Sequence, residues 1–428
     1  MKKTTKLTVT VLAGLSLLAG CVLVPTTSAE SLSTSSVSSE TVLVAGATPS
    51  SGNKSAFAFT APSTGTAVPA EIDTSVSARD ASGEYDVKEA VYLSSEDDLT
   101  ITQAGVYILT GSYINKMIIV DASEEDKVQL VLDNAVLMND SGPAIYIRSA
   151  DKVFLTASDG TENTISDGSG YTFSDGETTP DAAVFSKEDL TINGSGKLTV
   201  IGNTKHAVVS KDDLVITAKN LTVTAVNSCL CGKDSVKISD AAVSAAAGTD
   251  GIHSEEFVVI TGDTAVNIRA SEGIEAAYIL ITGGEIDIQA SDDGINAARK
   301  SAAYTPTVEI TGGIITVTMG SGDTDGIDSN GNLIISGGTV YVNANSPFDY
   351  DGNASFTGGT VYVNGNQVTS LPNQMMGGFG GRGGFREGTG NQDGFRGGGE
   401  QGSSGNQEGF GASPGEQRGY RGDFGKHL

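Results

Sequence analysis

A three-residue phrase returns about every 22 residues through the second half of this chain, and that period restricts the folds open to it. The phrase reads Asp250-Gly251-Ile252, Glu272-Gly273-Ile274, Asp293-Gly294-Ile295 and Asp325-Gly326-Ile327. Degenerate copies surround Val184, Val208 and Leu230, and a late one surrounds Phe348. Measured on the apolar residue, the successive steps are 24, 22, 22, 22, 21, 32 and 21 residues, so one coil carries an insertion of about ten. A fixed period in this range marks a solenoid, in which each repeat buries its apolar face only against its neighbours.

Between the repeat heads the chain alternates with period two, as in Glu285-Ile286-Asp287-Ile288-Gln289 and Thr339-Val340-Tyr341-Val342-Asn343. Apolar and polar residues in alternation, rich in Val, Ile and Thr, predict strands with one buried face. Gly-Gly pairs at 283–284, 312–313, 337–338 and 358–359 mark sharp corners where positive φ is expected. Proline is scarce, as expected where backbone N–H groups must pair with the coil above. Two or three short strands per coil of about 22 residues predict an all-β parallel β-helix over residues 85–370. A leucine-rich repeat would show regular Leu and an Asn ladder, and a propeller blade needs roughly 40 residues. Roughly ten or eleven coils stacked at about 4.8 Å would span on the order of 50 Å.

The ends differ in composition. Lys2, Lys3 and Lys6 precede an apolar run to Leu18, and Leu18-Ala19-Gly20-Cys21 resembles the lipobox of bacterial lipoproteins. Residues 1–21 are therefore expected to be a leader cleaved before Cys21, whose thiol is lipidated; cleavage after Ala29 is the rival. Residues 22–84 are expected to form a Ser/Thr-rich tether, and residues 371–428 a Gly-rich tail that cannot build a core. The formal net charge is −26. The tail holds six basic and six acidic residues and the leader three lysines, which leaves the body between them at about −29. So acidic a body excludes nucleic acid as a partner and favours a role for hard divalent cations.

The repeat stacks carboxylates. Asp250, Glu272, Asp293 and Asp325 head successive coils, Asp292 stands beside them, and a second polar column follows at His253, Glu275, Asn296 and Asp328. Carboxylates about 5 Å apart repel by roughly 3 kcal/mol at an effective dielectric of 20. Cations between them, or turn N–H groups that they cap, would offset that cost. Calcium ligands are therefore expected among Asp250, Glu272, Glu275, Asp292, Asp293, Asp325 and Asp328. The competing explanation is that Asp-Gly is a turn dipeptide. Glu272 and Glu275 are poor turn formers and hold the same columns, which favours calcium.

A second surface comes from outward residues of the last strand in each coil. Arg269, Asp287, Gln289, Tyr341, Asn343 and Tyr362 are expected to contact carbohydrate, with Tyr341 above Tyr362. Aromatic faces beside amides suit sugar rings, which offer C–H faces and hydroxyl rims. Exposed Tyr in a strand is also explained by β propensity alone. His206, His253 and His427 lie in different contexts, and no nucleophile or metalloprotease motif occurs, so no catalytic residue is assigned. Cys229 and Cys231, two apart in a strand, are expected to point the same way.

The runs Asp126-Lys127-Val128-Gln129-Leu130-Val131-Leu132-Asp133, Glu162-Asn163-Thr164-Ile165-Ser166-Asp167, Phe185-Ser186-Lys187-Glu188-Asp189-Leu190-Thr191-Ile192-Asn193-Gly194-Ser195-Gly196 and Cys231-Gly232-Lys233-Asp234-Ser235-Val236-Lys237-Ile238 precede the Asp-Gly-Ile coils. In that order, over about residues 85–365, they resemble the bacterial carbohydrate-binding domain-containing proteins. The resemblance implies a right-handed parallel β-helix akin to pectate-lyase-like polysaccharide lyases. It also implies calcium sites and binding of an acidic polysaccharide such as polygalacturonate, without established cleavage. The chain departs from the family at Cys229 and Cys231, and in the insertion at 299–306.

Together these features lead us to expect a monomer on the outer face of a bacterial membrane, held by lipid alone. It would bind uronate-rich polysaccharide through calcium without catalysis. The alternatives are a calcium-dependent lyase, with Arg299, Lys300, Lys233 or Arg269 as the nearest basic residues, and an adhesin or scaffold with no sugar ligand.

Overall fold

In the computed structural model the described residues are 72–373, apart from 97, 98, 177, 322 and 323. The leader with Cys21, the Ser/Thr-rich stretch to residue 71 and the tail from residue 374 lie outside them. From Ile145 onward each coil is built from three short strands, whereas in the two coils before it a single long strand, Gly105–Ile114 or Lys127–Asn139, takes the place of the second and third. The coil headed by Asp250 has Asp250–Ser254, Phe257–Thr261 and Ala265–Ala270, and Glu272 heads the next. Each of these strands pairs in parallel with its counterpart one coil away. Stacking thus produces a first, second and third sheet, named here by strand order within the coil. Among the described residues eleven strands make up the first sheet. The second and third join because the long strand Lys127–Asn139 pairs with both Lys152–Ala157 and Glu162–Asp167.

The apolar repeat positions become one vertical ladder. Val184, Val208, Leu230, Ile252, Ile274, Ile295, Ile327 and Phe348 are successive register partners. All eight are fully buried, so the fold is the parallel β-helix that the period predicts. The 32-residue step leaves the ladder intact: the extra residues form a loop between Asp293–Ala297 and Thr307–Ile310. Register holds because a one-residue slip would turn every apolar side chain of the strand outward. The third sheet shows the same logic as an alternation of exposed and buried residues in Ala265–Ala270 and Thr339–Asn343.

Two kinds of glycine serve this stack. The second glycine of each corner pair, at 284, 313, 338 and 359, takes φ between +76° and +89°, which side chains rarely adopt. The glycine of the Asp-Gly-Ile phrase is needed for space instead. A Cβ on Gly273 would lie 2.2 Å from Gly294 O and 2.5 Å from Ile288 Cγ2. Gly251, Gly294 and Gly326 are crowded in the same way by Ile268, Val317 and Val342 of the third sheet. The repeat therefore spells carboxylate, no side chain, core residue.

Residues 72–84, expected to belong to the tether, pack along the second sheet instead. Ser77 caps the short helix Ala78–Ser82 in a reciprocal box with Asp80. Asp80 is buried; its Oδ1 accepts from Thr191 Oγ1 at 2.6 Å and lies 2.9 Å from Lys152 Nζ. Asp73 pairs with Lys237 Nζ at 2.7 Å, and the Tyr85 hydroxyl meets Ser158 Oγ at 2.6 Å. Composition concealed this because the segment is held by specific polar contacts to distant coils, with few apolar residues of its own.

Candidate functional site

The acidic heads sit at the corner where the third strand of one coil turns into the first strand of the next. Asp250 is the register partner of Glu272, and Asp293 of Asp325. One residue beyond the ladder runs the second column, in which Cys231, His253, Glu275, Asn296, Asp328 and Asp349 follow one another. Of the expected calcium ligands, Asp292 is exposed beside the columns; Asp250, Glu272, Asp293 and Asp325 lie in the first and Glu275 and Asp328 in the second, partly or fully buried.

The column has two chemically different halves. In the upper half His253 Nδ1 stands 2.9 Å from Glu275 Oε2 and 3.5 Å from Asp250 Oδ2. Ser228 Oγ donates to Asp250 Oδ2 at 2.7 Å. Lys300, from the inserted loop, reaches Glu275 Oε1 at 2.7 Å. Burial alone would raise the Glu275 carboxyl, but His253 and Lys300 outweigh it and hold the group below the usual range. Burial pushes Asp250 up, and pushes Glu272 up to about 8 with help from the charges of Glu275 and Asp250.

The lower half has no basic partner among these contacts. Burial, then the charges of Asp328, Asp292 and Asp325, push Asp293 up to about 7. Burial, then Asp349 and Asp325, push Asp328 up to about 7 as well. Asn296 Nδ2 donates to Glu272 Oε2 at 3.2 Å and Asp293 Oδ2 at 3.3 Å. Asn296 Oδ1 and Asp349 Oδ1 are buried without a hydrogen-bond partner. Acceptor oxygens crowded in this way are suited to a hard cation.

The residues expected to contact sugar all fall on the third sheet. Asp287 is followed by Thr316, Tyr341 and Tyr362 in one column, while Arg269, Gln289, Thr318 and Asn343 make the next. The Tyr341 and Tyr362 rings stack with centroids 4.9 Å apart and planes 10° from parallel. Tyr341 is one of the exposed large hydrophobic residues. The acidic columns and this aromatic step lie on different sheets.

Sequence reasoning placed His253 in the polar column without a role, and named Lys300 as a basic residue near a carboxylate column without a partner for it. The column position was the signal for His253. Lys300 had none toward its partner, because its loop breaks the period: Tyr304 packs edge-on to Phe257 and Tyr278, at 6.0 and 6.1 Å between centroids, and Arg299 meets Asp351 at 3.2 Å. The two thiols also part company, contrary to expectation. Cys229 lies in the main core, whereas Cys231 packs against an outer apolar cluster and lies 3.8 Å from His206 Nδ1. Cys229 precedes the strand Leu230–Gly232, so strand alternation does not govern it.

Comparison with known proteins bears on this architecture. A carbohydrate-binding domain-containing protein of Acetivibrio thermocellus is 33% identical over 132 residues, which are 31% of this chain and 46% of that protein. The match thus spans about half the length of the curated relative. The polysaccharide lyase-like protein from C. thermocellum, solved as a gadolinium derivative, is 27% identical, with coverage of 66% of this chain and 88% of that one and a TM-score of 0.39. The family model described as carbohydrate-binding domain-containing protein matches residues 95–368, nearly the whole β-helix, and the chain belongs to that family.

Proposed function

We propose that this protein binds an acidic, uronate-rich polysaccharide at the bacterial cell surface, in a calcium-dependent manner and without cleaving it. The observation that carries this reading is the lower acidic column. Asp293 with Asp325, and Asp328 with Asp349, are partners on neighbouring strands, and two buried acceptor oxygens beside them lack a donor. An unsatisfied buried acceptor costs about 1–3 kcal/mol, and stacked carboxylates repel one another. A hard divalent cation relieves both, and an all-oxygen donor set is the one calcium prefers. Asp293, Asp325 and Asp328 would hold the ion, with Asp292 at the rim. Bound calcium supplies positive charge on which a sugar carboxylate can rest. Without it, a body near −29 repels a polyanion within the roughly 8–10 Å that salt leaves unscreened.

Tyr341 and Tyr362 offer a flat step for sugar C–H faces, and Arg269, Asp287, Gln289 and Asn343 offer polar contacts on the same sheet. A lyase would need an unengaged base near the metal. Lys300 and Arg299 are held in ion pairs with Glu275 and Asp351, which favours binding without cleavage. The test is retention on polygalacturonate and on a panel of neutral glycans, with calcium or with chelator. Calcium-dependent retention on the uronate alone, with no new absorbance at about 230–235 nm from unsaturated uronate, is the expected outcome. Growth of that absorbance would instead make the protein a lyase, and no retention on any glycan would leave a scaffold.

A further inference from the structure

We propose that Asp250, His253 and Glu275 form a separate site for a borderline divalent metal ion of the zinc or cobalt type, distinct from the calcium column below it. Three donor atoms of two kinds converge here: His253 Nδ1, a carboxylate oxygen of Asp250 and one of Glu275, all within 4.8 Å of one another. Nδ1 is buried and makes no aligned hydrogen bond, although Glu275 Oε2 is 2.9 Å away and Asp250 Oδ2 3.5 Å. His253 and Glu275 thus form a close electrostatic pair whose geometry is not that of an aligned hydrogen bond. Tetrahedral coordination with bonds of about 2.0–2.1 Å places donors roughly 3.3 Å apart, and the two observed separations bracket that value.

Each carboxylate also has an outer partner, on the far oxygen of Glu275 and on the imidazole-facing oxygen of Asp250. Ser228 Oγ donates to Asp250 Oδ2, and Lys300 takes Glu275 Oε1 while leaving Oε2 turned toward the imidazole. Outer partners of this kind orient ligands in metal sites. The imidazole decides the metal class. Calcium seeks six to eight oxygens, whereas a mixed nitrogen and oxygen set of three with room for solvent suits zinc, cobalt or nickel. Side-chain exposures of 22% for His253, 14% for Asp250 and 9% for Glu275 leave the imidazole side as the point of entry.

The experiment uses the full chain stripped with chelator and returned to saturating calcium, so that oxygen-only sites are filled throughout. Cobalt(II) is then titrated while visible ligand-field absorption is followed, and zinc is added to displace it. One equivalent should bind. His253→Gln should weaken binding at least tenfold, while His206→Gln and His427→Gln leave it unchanged. X-ray absorption on the wild-type cobalt complex should find a single imidazole among oxygen ligands, a readout that needs no variant to fold. A silent titration, equal binding by His253→Gln, or a shell that is all oxygen or contains sulfur would overturn the assignment. Glycan retention in calcium is scored separately, so loss of the cobalt site and loss of sugar binding are told apart.

Discussion

Lys300 Nζ stands 2.7 Å from Glu275 Oε1 although a full coil separates the two in sequence. The inserted loop makes this possible by anchoring Tyr304 on Phe257 and Tyr278, which directs the start of the loop back toward the acidic corner. The Glu275 side chain is 9% exposed and that of Lys300 33%. Lys300→Ala should therefore destabilise the metal-free protein by about 1–3 kcal/mol at neutral pH, between the values for exposed and buried pairs. The folded Glu275 carboxyl lies below its ordinary value of 4.5, so the pair's contribution is present above that pH and is lost as pH falls through the folded value. Denaturant unfolding in chelator should show wild type and variant converging in acid. A constant gap at every pH would assign the loss to packing.

The carboxyls that burial pushes up, Asp293 and Asp328 in the lower half and Glu272 in the upper, should give the opposite pH trend. Asp293 and Asp328 rise from an ordinary 3.8 to about 7, and Glu272 from 4.5 to about 8. The folded state then holds protons that the unfolded state has released, so these groups lose stability as pH rises from about 4 to about 8. In chelator the melting temperature should fall across that window, and calcium should flatten the curve by binding the ionised form. Identical calorimetric traces with and without calcium at pH 8 would remove the calcium reading.

Gly273→Ala tests whether the glycine of the repeat is needed for space. Its Cβ would meet Gly294 O at 2.2 Å and Ile288 Cγ2 at 2.5 Å. Overpacking of this kind costs about 1–3 kcal/mol or more. Gly365→Ala is the comparison, because Gly365 has φ +80° with open space around it, so only backbone strain of about 1–2 kcal/mol applies. Chemical denaturation should rank Gly273→Ala as the more damaging change.

The stacked tyrosines should act together. Tyr341→Ala or Tyr362→Ala should weaken retention on polygalacturonate about five- to tenfold, equivalent to about 1–1.4 kcal/mol. Calcium-dependent melting should be unaffected, since the rings lie on the third sheet. Unchanged retention in the double variant would move the sugar contact to the acidic corner alone.

Cys21 lies outside the described residues, and its lipidation is a proposal from the leader sequence. Cys21→Ala should shift the protein from the membrane fraction to the medium. Equal release of wild type and variant would favour cleavage after Ala29.

The Asp-Gly-Ile phrase by itself determined the architecture. Parallel stacking converts a sequence period into a spatial column, so residues 22 apart become neighbours, and Ile252, Ile274, Ile295 and Ile327 could be placed in one ladder from spacing alone. For the same reason the acidic columns and the Tyr341–Tyr362 step were legible. Periodicity carries no information about segments that depart from it. The contacts of Lys300, Tyr304 and Asp80 depend on where aperiodic chain lands on distant coils, and that is decided by aromatic packing and buried polar bonds. Only the tertiary structure, by bringing Lys300 to Glu275 beside His253, divided the stacked acids into a half with basic partners and a half of carboxylates and an amide.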